Sequence, residues 1–233
     1  MSRRPCLPQF GISCRTGLST RWHHNAIACF SWARALSGII ALRIIAVIAV
    51  LLLILISSCG RKPAPKEVVP VALWQHRDEA TAWTNAALEA LKTHGSVLPR
   101  LVPRDIADYC PAYPNAAQDA RRAFWVTFLS ALAKHESTWQ PDAAGGGGAW
   151  HGLLQIAPAT AKGYGCRATT AEALHDGGAN LSCAIRIMAV TVPRDQVISR
   201  DMRGVAADWG PFHQERKRKD IQELTRAQSY CAL

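Results

Sequence analysis

Apolar residues recur along the chain mostly at helical intervals. Residues 74–93 carry Trp83, Ala87, Leu88 and Leu91 on one stripe and predict a helix. Pro99, Pro103, Pro111 and Pro114 then break the chain into loop. The strongest periodicity lies in residues 116–136, where Trp125, Phe128, Leu129, Leu132 and Glu136 share a face. Residues 141–151 hold four consecutive glycines, Gly145 to Gly148, and read as a mobile loop, either a lid or, the favoured reading, simple slack. Pro158 suits the first turn of a short helix. Residues 179–190 predict another helix, with Leu181, Ala184, Ile185 and Met188 facing inward and Pro193 ending it. Arg216 to Lys219 reads as a solvated basic helix face. No stretch alternates as a strand would, and no internal repeat is visible. The expectation is a single, mainly helical globular domain over residues 71–233.

One apolar run is of a different kind. Ile44 to Ile56 is unbroken, follows Arg43, and ends in Ser57-Ser58-Cys59-Gly60. Thirteen residues are short for a membrane span, which needs roughly 20, and suit the core of a signal peptide. An apolar residue, two small residues and a cysteine resemble a lipobox, whose cysteine is lipidated and becomes the first residue. The alternative is an uncleaved anchor over Ile39–Ile56, which Arg43 interrupts. Residues 1–58 are therefore expected to be a leader. A start at Leu42 would shorten it to ordinary length, and a precursor mass beginning at Met1 would exclude that start. Residues 59–70, with three prolines, are the expected tether. These readings place the protein in the bacterial periplasm, held to a membrane through lipid on Cys59. Gly60 rather than aspartate after Cys59 favours the outer membrane.

Charge adds little to this picture. The net charge is +10, but residues 1–58 hold six arginines and no acidic residue. Residues 59–233 carry 21 basic and 17 acidic side chains, a net of only +4. That leaves no case for a nucleic-acid partner. Cysteine usage agrees with export. Beyond the leader and Cys59 remain Cys110, Cys166, Cys183 and Cys231, an even number that points to two disulfides. Three pairings are open and the sequence does not choose among them. The favoured one joins Cys166 to Cys183 across a short loop and ties the C-terminal tail back through Cys110–Cys231. The spacings are too wide for a zinc pattern, and neither a metal nor an organic cofactor is expected.

Glu136 is the candidate for chemistry. It continues an apolar stripe, where burial disfavours the charged form and raises a carboxyl pKa. A carboxylic acid still protonated near neutral pH can serve as a general acid. The residues C-terminal to it sharpen the case. His135-Glu136-Ser137 precedes the glycine loop, then Gly152-Leu153-Leu154-Gln155-Ile156, then Pro158 and Thr160, then Asn180-Leu181-Ser182-Cys183-Ala184. In order and spacing these segments, within residues 124–190, resemble the lytic transglycosylases of the SLT type, in the lysozyme-like superfamily. Their signatures are Glu-Ser, Gly-Leu-Met-Gln, Pro-x-Thr and a helix begun by Asn.

The resemblance implies a lysozyme-like α+β domain, mainly helical, with a long cleft for peptidoglycan strands. It casts Glu136 as the acid that cleaves the bond between N-acetylmuramic acid and N-acetylglucosamine. Ser137 would steady Glu136, Gln155 would hold sugar, and Asn180 would support the cleft from below. The muramic acid 6-hydroxyl would displace the leaving group and give a 1,6-anhydro product, so one carboxyl group suffices.

Two departures stand out. The glycine loop replaces a shorter Ser-x-x-Gly-Ala segment. Ala206-Ala207-Asp208-Trp209-Gly210 stands where the family often has Ala-Tyr-Asn-x-Gly, which puts Asp208 at the tyrosine and makes Trp209 a sugar platform or a core residue. An aspartate near Glu136 could position water, as a lysozyme-type hydrolase requires. A third reading is a binding lipoprotein without catalysis. A partner among envelope machines is compatible with all three and is not identified by any motif.

Overall fold

The computed structural model describes residues 43–49 and 68–232. The chain divides into two units, Met1–Pro65 and Lys66–Leu233. In the first, residues 43–49 form a helical stretch, α1. Cys59, the proposed lipobox and most of the tether lie outside the described residues. Among the described residues no helix is long and apolar enough to cross a membrane.

The second unit is mainly helical, as the periodicity predicts. Its helices are α2 (Ala80–Lys92), α3 (Val97–Arg100), α4 (Gln118–Glu136), α5 (Pro158–Gly163), α6 (Ala171–Leu174), α7 (Gly177–Asp195) and α8 (Glu215–Arg226). Short 3₁₀ turns fill much of the rest. A small hairpin, β1 (Ala144–Gly145) and β2 (Trp150–His151), pairs Ala144 with His151 and Gly145 with Trp150. Local chemistry sets several starts. Pro158 opens α5. Thr170 caps α6 by accepting from the Ala173 N–H, and Asp176 caps α7 by accepting from Ala179.

Helix α4 is the axis of the core. Every residue from Ala123 to Ala133 is buried, so the helix is covered all round rather than along one stripe. Helices α2, α3 and α8 pack on it, and α7 packs on α2. Phe124, Trp125 and Phe128 meet Tyr109, Tyr113 and Phe212 in edge-on and stacked contacts. The buried polar groups of α4 have partners. The Thr127 hydroxyl donates to the Val71 carbonyl, and the Ser130 hydroxyl accepts from the Leu73 N–H. These bonds lay residues 71–74 across the helix as a strap, with Trp74 fully buried.

Several sequence expectations change. Residues 74–79 form turns, and α2 begins only at Ala80. Pro193 does not end α7, which runs on to Asp195. Proline near a helix C-terminus costs one bond, and the Gln196 N–H still reaches the Val192 carbonyl from a left-handed backbone. The glycine run is a hairpin turn rather than slack loop. Gly146, Gly147 and Gly148 all have positive φ, which closes a ladder too short to show as alternation. The disulfides are Cys110–Cys231 and Cys166–Cys183, the favoured pairing.

Candidate active site

Glu136 ends α4 half-buried. Among the described residues no donor is hydrogen-bonded to its carboxyl group. Burial without such a partner disfavours the anion and pushes its pKa up to about 7, against the pull of the Lys217 ammonium. The chain reverses directly after it. Ser137 caps the helix through its N–H to the Ala133 carbonyl, and Thr138 and Trp139 take positive φ. The Trp139 indole N–H donates to the Ser130 carbonyl and holds that reversal against α4.

Residues 151–155 are pinned beside this helix end by side chains far apart in sequence. The Ser137 hydroxyl donates to the Leu153 carbonyl at 2.9 Å. Asn180, fully buried, donates to the carbonyls of His151 and Leu174 and accepts from the Leu154 N–H. The Trp209 indole donates to the Leu154 carbonyl at 3.0 Å. Gly152 has positive φ, and any Cβ there would stand 2.1 Å from the Leu174 carbonyl oxygen. Three matched segments of the sequence, those of Ser137, Gly152–Gln155 and Asn180, thus meet at one point, joined there by Trp209 of the departing stretch. Ser137 and Asn180 are braces for it, and Trp209 is a third, a buried residue rather than an open platform.

Gln155 is turned toward the hairpin. Its Nε2 donates to the carbonyls of Ala143 and Gly152, and its Oε1 lies against Gly145. Above it Trp150 is 49% exposed, its ring lying over the backbone of Gly146. His151, nearly buried, meets His175 with ring nitrogens 3.3 Å apart and ties the hairpin to the turn before α7. Among the described residues no three His, Cys, Asp or Glu side chains cluster as metal ligands would.

Asp208 belongs to another group. It is exposed, and its charge bears on Tyr164 and Arg194 rather than on Glu136. Partial desolvation of its carboxyl group raises its pKa, Arg194 lowers it and Asp195 raises it. The charge that acts on Glu136 comes from the basic run of α8, whose pattern in the sequence is that of a solvated face. Lys217 there is half-buried. His135, beside Glu136, meets Asp220 of the same helix at 2.7 Å, and Lys134 meets the same oxygen at 2.7 Å. Nothing local in the sequence marks Lys217 as a site residue, because it reaches Glu136 by tertiary packing of α8.

Comparison with known proteins gives the family and the fold. The profile of the transglycosylase SLT domain matches residues 113–194. Solved structures of Bd0314 DslA, as wild-type form 2 and as two single glutamate-to-glutamine variants, are similar with a TM-score of 0.63. Identity is 30% for the wild type and for one variant and 29% for the other, over 72% of this chain and 100% of that one. Comparison with curated proteins finds no match.

Proposed function

The chain belongs to the transglycosylase SLT family, and from that premise we propose that it is a peptidoglycan lytic transglycosylase with Glu136 as its acid and base. The observation that carries this reading is the state of Glu136, a half-buried carboxyl group with a pKa of about 7, beside the pinned Gly152–Gln155 segment. Such a group is substantially protonated at neutral pH and can give its proton to the bridging oxygen as the glycosidic bond breaks. The carboxylate left behind then takes the proton of the muramic acid 6-hydroxyl. That oxygen closes on the anomeric carbon, and Glu136 is protonated again. No second carboxyl group is required, which fits the absence of Asp208 from the charges that bear on Glu136.

Export supports the same reading, because the substrate lies outside the cytoplasm. We infer a periplasmic lipoprotein anchored through Cys59, on the strength of Ile44–Ile56 and the Ser57-Ser58-Cys59 junction. Two disulfides fit an oxidising compartment.

The test is mass spectrometry of purified peptidoglycan digested by the purified protein, with Glu136→Gln as control. Anhydro-muropeptides from the wild type alone are expected. Reducing-end products, one water heavier, would make the protein a lysozyme-type hydrolase. No products from either protein would leave a binding lipoprotein.

A further inference from the structure

The structure has a groove, reached by His135 next in the chain to Glu136, that the glycan chemistry above does not use. It has a volume of about 830 Å³ and lies between the last turn of α4 and the first turns of α8. Lys134, His135, Arg216, Lys217, Lys219 and Asp220 line most of it. Several of these charges are already matched. Lys134 and His135 share Asp220, and Lys219 pairs with Glu215 at 2.7 Å. Among the described residues neither Arg216 nor Lys217 forms an ion pair, although the Lys217 charge is felt at Glu136. Glu223, exposed, also lines the groove. A half-buried ammonium group without a counter-ion favours an anion from outside.

The proposed substrate supplies one. Of its two sugars only muramic acid carries a carboxyl function, on a lactyl group close to the scissile bond. That carboxyl is either free or amide-linked to a stem peptide with carboxylates of its own. We propose that Arg216 and Lys217 bind a carboxylate carried by the muramic acid residue, and so select peptidoglycan over uncharged glycans. The assignment rests on the transglycosylase reading for its ligand and on the groove for its site. Binding there also has a consequence for Glu136. Lys217 favours the Glu136 anion, and a substrate carboxylate that offsets this ammonium returns Glu136 toward its protonated form.

The experiment is a titration of purified protein carrying Glu136→Gln, which blocks turnover, with muramyl dipeptide and with its form amidated at every carboxylate. Adding Lys217→Gln is expected to weaken the charged ligand about five- to tenfold and to leave the amidated one unchanged, while Lys217→Arg restores binding. Raised salt is expected to erase the difference between the two ligands. Free N-acetylmuramic acid separates the two sources of the carboxylate. Binding equal to the dipeptide assigns the lactyl group, and binding only by the dipeptide assigns the stem. Equal affinity for charged and amidated ligands, or equal losses for both in Lys217→Gln, would overturn the proposal. Because binding is read without turnover, a failure of the transglycosylase reading would show separately, as absent products in the digestion.

Discussion

Glu136 differs from an ordinary surface glutamate through its surroundings. Burial raises its pKa to about 7, so the protonated form that can act as an acid is lost as pH rises through about 7. The falling limb of kcat/KM against pH is expected there. Lys217 opposes the shift, so Lys217→Gln is expected to move the limb to higher pH, with Lys134, His135 and Asp220 left in place. A limb that stays put in that variant would show that Lys217 does not act on Glu136. The same shift has a sign in stability. The folded pKa lies above the unfolded value of 4.5, so the native state holds the proton more tightly. The associated stability is full below about 4.5 and is lost as pH rises through about 7. Glu136→Gln, which cannot ionise, is expected to be more stable than wild type at pH ~8, by at most about 3 kcal/mol, and to differ little at pH ~4. Melting curves at the two pH values check it. Activity of this variant is expected to fall by about 10²–10⁴-fold.

At the scale of elements, the hairpin and the segment after it are held by contacts, not by length. The ladder has two residue pairs, and Gly146 sits under the Trp150 ring at φ 56°. A Cβ at Gly146 would stand 2.5 Å from that ring, whereas Gly147 has open space around it. Gly146→Ala is therefore expected to cost more stability than Gly147→Ala, which meets only the backbone penalty of positive φ. Equal melting temperatures would show that the ring does not rest there. Asn180 joins three backbone groups, the carbonyls of His151 and Leu174 and the Leu154 N–H. Asn180→Ala is expected to destabilise by about 2–4 kcal/mol and to lower kcat, because the Gly152–Gln155 segment loses its brace. The hairpin is not legible in the sequence, since two residues cannot show a period of two. Pro193 misplaces the end of α7 for a related reason. Proline forbids one hydrogen bond, and the last turn of a helix can lose one without unwinding.

At the scale of the whole domain, the two disulfides bind what helix packing leaves loose. Cys110–Cys231 closes a separation of 121 residues and fastens the C-terminal turn, whose Tyr230 hydroxyl meets Thr127 of α4. Cys166–Cys183 closes only 17. Loss of the longer loop is expected to cost more, about 2–5 kcal/mol, in the paired variant Cys110→Ser with Cys231→Ser than in Cys166→Ser with Cys183→Ser. Thermal unfolding of both, without reductant, compares them. An order reversed between the two would assign the larger share to local packing at Cys166 and Cys183.

Much of this architecture is legible along the chain. The apolar stripes of residues 116–136 and 179–190 and Pro158 at a first turn all act within a few residues of themselves. Helices α2, α4, α5 and α7 therefore follow from the sequence alone, whereas α3, which runs through Pro99, and α6 do not. Glu136 can also be singled out there, because a carboxyl group on an apolar stripe is anomalous by position. The environment of that carboxyl is decided elsewhere. Lys217 lies 81 residues away and Asn180 lies 44 away, and the sequence holds no short-range term that couples them to Glu136 or Leu154. Packing α8 against α4 turns a basic run with the pattern of a solvated face into one wall of a groove. Packing of residues 204–207 against α7 makes Trp209 a brace for residues 151–155 and leaves Asp208 exposed with Arg194. Local periodicity determines which faces are apolar, and only the tertiary fold determines which charges then share a low-dielectric neighbourhood.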